Sequence, residues 1–206
     1  MSGEPRSLHD GIMRVDRSHV PALSTMLARS FTNEPLVTWI IPDTDRRVPF
    51  LARMFQLTLE QYLPAEHVFA FPDCSAVVIA SPPGASLLGD ADAFEDLRLS
   101  LPEAAQQRLA SVNTALRRVR PETEHYYFAF VGVEPGRHQQ GAGGVLVRRC
   151  LATPEASGAM AYAEAGNPQG MALMVHNGFG QAHPPASVGP HGIVYLVRHP
   201  HGLDEA

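Results

Sequence analysis

The chain has 206 residues, and 45% are hydrophobic, enough for one domain with a substantial buried core. Its net charge of −5 offers no basic surface for nucleic acid or an anionic membrane. All 16 basic residues are Arg and none is Lys, which reads as a compositional bias of the genome and not a functional device.

The first eleven residues are polar and hold no hydrophobic targeting segment, and the aliphatic runs are too short to span a bilayer. A cytoplasmic protein is expected. Residues 12–15 suit a first strand. Ser18 is placed to cap a helix to about residue 30, with Val20, Leu23, Met26 and Leu27 on one face. Asn33, Glu34 and Pro35 break it. A second helix is expected from residue 44 or 45 to 62, ended by Pro64. Residues 67–71 and 74–81 read as a hairpin turning at Pro72 and Asp73. About 90–119 is expected to be helical and split at Pro102. An apolar strand then runs from Tyr126 to Val133.

Residues 133–146 read V-E-P-G-R-H-Q-Q-G-A-G-G-V-L, and an apolar helical run follows. A helix start offers unpaired N–H groups and the positive end of a dipole, which suits phosphate. Gly141, Gly143 and Gly144 let an anion approach the backbone closely. Taken alone the pattern is weak. It lacks the Gly-Lys-Ser/Thr of a Walker A loop and the spacing of a dinucleotide fingerprint.

A short strand at 160–164 and a helix at 168–177 closed by Gly178 come next. Final strands are expected at 179–183 and 193–198, joined by a Pro/Gly loop, with a loose tail from 199. Pro135, Pro154, Pro168 and Pro184 mark the ends of elements in this reading. Cys74 and Cys150 lie far apart and read as two buried free thiols. Ten His residues raise the question of metal, but their spacings build no ligand set, so none is expected.

Three segments in order resemble the GNAT N-acetyltransferase superfamily. The loop matches its pyrophosphate motif: Gln or Arg, two residues, Gly, one residue, then Gly or Ala. That motif falls on His138, Gln139, Gln140, Gly141, Ala142 and Gly143. Residues 163–168, A-E-A-G-N-P, resemble the following strand end and helix start, and 177–179, N-G-F, resemble the next strand's opening. S-F-T-N-E-P at 30–35, I-P-D-T-D-R-R at 41–47 and S-A-V-V-I-A-S-P-P at 75–83 give a layout similar to puromycin N-acetyltransferase-like proteins.

The resemblance implies an α+β (mixed α/β) fold of one domain, with a helical insertion at about 90–119. Its central sheet would be mostly antiparallel, six- or seven-stranded and flanked by helices, with middle strands that splay near Val131 and Glu164. The co-substrate implied is acetyl-CoA. Its pantetheine arm would pair with backbone near Val131 and Val133, its pyrophosphate would rest on N–H groups of about Gln139, Gln140, Gly141, Ala142, Gly143 and Gly144, and His138 would meet phosphate through its ring N–H or else stand in solvent. Asn167 matches a position that touches the pantetheine arm or a water, and it is equally a simple helix cap. Glu164 matches an acidic position that accepts the amine proton, or else positions the substrate.

The implied activity is acetyl transfer to the amine of a small molecule, by a monomer or homodimer. The alternatives are an acyl-CoA-binding protein with degenerate catalysis and an O-acetyltransferase. Two departures matter. His138 replaces the usual Gln or Arg and Gln139 a common Gly. More seriously, Met174 stands where the family carries a Tyr that protonates the departing sulfur, and a thioether has no proton to give. The thiolate would leave unassisted, another donor (Tyr162, His176 or Tyr195) would serve, or turnover would be absent. For the acceptor pocket, the expected walls are 31–39, the 90–119 helices and a loop at 183–191. Phe31, Trp39, Tyr126 and Tyr127 would form an aromatic wall, His125 would be an ordinary strand-start residue, and Glu34 would attract a cation.

Overall fold

A computed structural model of the protein describes residues 11–85, 91–137 and 141–200. The elements run β1 (Met13–Arg14), α1 (Val20–Phe31), α2 (Pro35–Ile40), α3 (Thr44–Tyr62), β2 (Val68–Ala70) and β3 (Ala76–Ser81). There follow α4 (Ala91–Leu99), α5 (Glu103–Arg118), β4 (Tyr126–Val133), α6 (Ala142–Ser157), β5 (Ala161–Ala165), α7 (Pro168–His176), β6 (Gly180–Val188) and β7 (His191–Arg198). The strands form one sheet in the order β1-β2-β3-β4-β5-β7-β6. Every pairing is antiparallel except β4 with β5. This is the mixed, mostly antiparallel sheet with flanking helices that the resemblance implies, with seven strands of the six or seven expected.

β3 shows how the layers arise. Its run A-V-V-I-A-S is buried on both faces. Ala76, Val78 and Ala80 join the core that holds α6 and α7 residues, while Val77 and Ile79 join the core with α1 and α3. Alternation along one strand thus sends its side chains to two helical layers. A third core, at the far end, gathers α2, α5, Tyr162, Ile193 and Tyr195. Gly132 lets α1 approach β4 closely, because a Cβ there would stand 2.4 Å from Leu27 Cδ2.

Three local expectations are corrected, and one, the break after α1, is extended. Ser18 does not cap α1. Asp16 caps a single turn of 3-10 helix before it, and its carboxylate accepts from Ser18 N at 2.8 Å. The break at 33–35 is followed by a short helix, since Pro35 has the fixed φ that favours a first helical position. Pro154 lies inside α6 rather than at its end. The expected 183–191 loop is mostly β6, which continues through Pro184 and Pro185 with two register shifts. β6 is an edge strand, so prolines cost it few ladder bonds. The predicted end of α7 holds: Gly178 has φ 86°, and Phe179 N donates to Met174 O at 3.1 Å, closing a Schellman turn.

Candidate functional site

The sheet opens in its middle. β4 and β5 pair only through Tyr126–Ala161, Tyr127–Tyr162 and Phe128–Ala163. Beyond Phe128, among the described residues, β4 pairs only with β3, and Glu164 and Ala165 pair only with β7. The cause is partly local. Between Ile79 and Ala80 the register with β4 slips, leaving Ala129 as an extra residue, and such a bulge bends the strand that carries it. The result is a wedge between two parallel strands, a place where an extended ligand can add itself to a strand edge.

One side of the wedge is made of backbone and small residues. α6 starts at its mouth with Gly141 as N-cap, where φ of 80° makes glycine the fitting residue. Ala142, Gly143 and Gly144 supply first-turn N–H groups that have no partner within the helix. Gly143 sits close against the end of β4 and against α7. A Cβ there would touch Leu173 at 3.4 Å and Val131 and Val133 at 3.6 Å. Gly141, Ala142, Gly143, Gly144, Val131 and Val133 are therefore gathered at one place. His138, Gln139 and Gln140 lie outside the described residues.

The other side is made of charged and phenolic side chains. Glu164, Tyr162 and Tyr127 share a face through the strand register, and Tyr195 on β7 lies directly opposite Glu164. The Glu164 side chain is 7% exposed, and Arg120 Nη2 stands 3.6 Å from its Oε1. The Arg120 guanidinium also lies over the Tyr127 ring at 4.3 Å. Burial raises the Glu164 carboxyl above its ordinary value, while the phenol of Tyr127, the charge of Arg120 and the phenol of Tyr162 pull the other way. Burial, then the negative charge of Glu164, pushes Tyr127 and Tyr162 upward, so both stay protonated. Among the described residues, Glu164 Oε1, Tyr162 Oη and Arg120 Nε are buried and lack a hydrogen-bond partner. Buried polar groups left in this way cost stability, and here three of them lie together around one carboxylate.

Asn167 caps α7, its Oδ1 accepting from Gly170 N at 2.6 Å. Its Nδ2 donates to Glu34 Oε2 at 2.5 Å. Glu34 therefore ties the turn before α2 to the start of α7, and Leu36 packs beside Gly166. Met174 is 4% exposed in the core of α6 and α7. Of the alternative proton donors, Tyr162 and Tyr195 belong to the core on the opposite face. Tyr195 Oη already donates to Ala115 O, and His176 is exposed at the end of α7.

The four aromatic residues expected to form one wall are dispersed. Tyr126 and Tyr127 point to opposite faces because strand side chains alternate. Phe31 packs on Phe55 and Phe130, and Trp39 on His191. His125 opens β4 with its ring 5.3 Å from Tyr162, at the border of the phenolic cluster. Cys150 is buried as expected, whereas Cys74 is only partly covered. Sequence reasoning missed Arg120 and Tyr62. Tyr62 ends α3, and both Arg120 and Glu164 act on its phenol. No local motif marks either residue, since they approach Glu164 only through the tertiary fold. Of two shallow surface depressions of about 360 Å³ each, one lies between α3 and α4 and one beside α5, where Ala115, the residue that accepts from Tyr195 Oη, lines it.

No protein-family model and no curated protein matches the sequence. Solved structures do match in fold. A Corynebacterium glutamicum structure, of a histone acetyltransferase and related acetyltransferase, is 20% identical with a TM-score of 0.65, over 92% of this chain and 96% of its own. Arylalkylamine N-acetyltransferase 2 from Aedes aegypti is 11% identical, again with a TM-score of 0.65, over 91% and 97%. The polyamine N-acetyltransferase of Drosophila melanogaster is 16% identical with a TM-score of 0.57, over 91% and 98%. The chain has the GNAT acetyltransferase fold.

Proposed function

We propose that the chain is an acetyl-CoA-dependent N-acetyltransferase acting on the amine of a small molecule. The observation that carries this is the wedge at Phe128 and Ala163, with a glycine-built helix start on one side and a buried carboxylate on the other. The residues present fit the co-substrate. β4 beyond its bulge offers an open strand edge for an amide-bearing arm, and the start of α6 offers N–H groups for a pyrophosphate. Asn167 caps α7 and donates to Glu34, and its amide keeps a second N–H and a second lone pair with which to meet the arm.

Acetyl-CoA, when bound, supplies an activated acetyl group with a thiolate as leaving group. Glu164 takes one proton from the acceptor ammonium, for which a carboxyl raised above its ordinary value is better matched than an ordinary one. The freed nitrogen lone pair forms the N–C bond as the C–S bond breaks. The electron pair leaves on sulfur, and the second nitrogen proton goes to that thiolate. This balances without a separate acid, as the thiol's ordinary acidity makes it a fair leaving group.

A second reading, binding of acyl-CoA without turnover, is favoured by Met174, which has no proton to give and is locked in the core. Calorimetric titration with acetyl-CoA, followed by thiol release across an amine panel, separates the two. Micromolar binding with turnover supports the transferase. Binding with no turnover on any amine supports the second reading, and no binding up to millimolar sinks both.

A further inference from the structure

We propose that Arg120 binds the carboxylate of the acceptor, so that the acceptor class is the α-amino acid rather than a simple cationic amine. This rests on the transferase reading and names the substrate of the same site. Arg120 follows α5 in the connection to β4. Its side chain is 34% exposed, yet Nε is buried and unpartnered, so the guanidinium reaches from solvent into the cluster. It stacks on Tyr127 and reaches Glu164 only loosely, at 3.6 Å. A guanidinium fork held over a ring, with donors to spare, is suited to take a carboxylate in bidentate fashion.

The spacing fits a zwitterion. Glu164 Oε1 and Arg120 Nη2 present a negative and a positive group 3.6 Å apart. An α-amino acid carries an ammonium and a carboxylate about one hydrogen-bond length apart. Laid against this pair, its ammonium meets Glu164 and its carboxylate meets Arg120, with charges alternating around the contact. The ammonium thereby also reaches the group that takes its proton. A simple amine would place a second cation beside Arg120 with one carboxylate between them, and like charges in a partly buried site oppose each other strongly. The nearby carboxylate of Glu34 already accepts from Asn167. Tyr162 Oη, buried and protonated, borders the Glu164 carboxylate from the same face of β5.

The test sets common L-amino acids against their decarboxylated amines, such as arginine against agmatine and phenylalanine against phenethylamine. Thiol release from acetyl-CoA is read for the native chain, Arg120→Gln and Arg120→Lys. We expect amino acids to be preferred by at least about tenfold in kcat/KM in the best pair. Arg120→Gln should bring that ratio to about one, and Arg120→Lys should restore part of it, since the charge returns without the fork. A merely structural Arg120 would lower both members of each pair equally and leave the ratio unchanged. Calorimetric titration of the CoA-loaded protein with the same probes reads the preference without turnover. Amines that bind and react as well as amino acids would overturn the inference. So would a preference that survives in Arg120→Gln. Amino-acid binding without any transfer would instead sink the transferase reading and leave this assignment standing.

Discussion

The two sides of the wedge are built from different materials. The α6 side offers backbone N–H groups, three glycines and two valines, from residues 131–133 and 141–144. On the Glu164 side they are ionisable side chains from α3, β4, β5, β7 and the connection after α5. A backbone site tolerates changes in side chain as long as space and φ are kept, so His138 and Gln139 need not disable it. A side-chain site depends on each identity and on burial, so a single change there alters its charge balance.

This division is broken most directly by a pair of variants with opposite outcomes. Glu164→Gln should lower turnover by about 10²- to 10⁴-fold while leaving acetyl-CoA affinity unchanged. Gly143→Val should do the reverse. A bare Cβ fits at 3.4–3.6 Å from Leu173, Val131 and Val133, but branched methyls beyond it would fill the wedge mouth. Acetyl-CoA should bind about tenfold or more weakly to this variant, roughly 1.4 kcal/mol, whereas Gly143→Ala should be nearly neutral. Calorimetry and steady-state rates on the same preparations check both. If each variant lost both properties, the two sides would not be separable.

The charged side is sharpened by pH. Burial holds the Glu164 carboxyl above its ordinary 4.5, so the folded chain keeps that proton to higher pH than the unfolded chain. The associated stability is fully present below the unfolded value and is lost as pH rises through the folded one. Gln at this position does not titrate. The native chain should therefore lose stability relative to Glu164→Gln on going from acid to neutral pH, as read from urea midpoints. A difference that moved the other way would mean that Arg120 and the phenols outweigh burial.

What was legible in the sequence follows the same division. β4, the glycine-built start of α6 and α7 with its Gly178 cap were readable because each is set by local spacing. The wedge itself came from resemblance, since a three-pair parallel ladder beside a bulge leaves no periodic mark. Glu164 was found through the A-E-A-G-N-P segment, but its environment was not. Arg120 and Tyr62 carry no motif, and they meet Glu164 only because α3 and the end of α5 converge over β5. The β6 error has a similar cause. Pro184 and Pro185 argue locally for a loop, and only the edge position of β6 admits them to a strand.

The smallest effect concerns the tie across the wedge end, where Asn167 does two jobs that substitution can separate. Asn167→Ala removes both the α7 cap and the donor to Glu34, and should cost about 1 kcal/mol. Asn167→Asp keeps an oxygen for Gly170 N and adds a charge that the helix start favours. It loses the Nδ2 donor and sets two carboxylates side by side. Its cost should therefore come from Glu34 alone, be smaller than that of Asn167→Ala, and shrink as pH falls and the carboxylates protonate. Adding Glu34→Gln should recover most of the loss, because an amide can again donate across the contact. A double-mutant cycle on urea midpoints gives the coupling. If Glu34→Gln fails to rescue Asn167→Asp, the tie contributes nothing beyond the cap, and the turn before α2 is held by the packing of Leu36 beside Gly166.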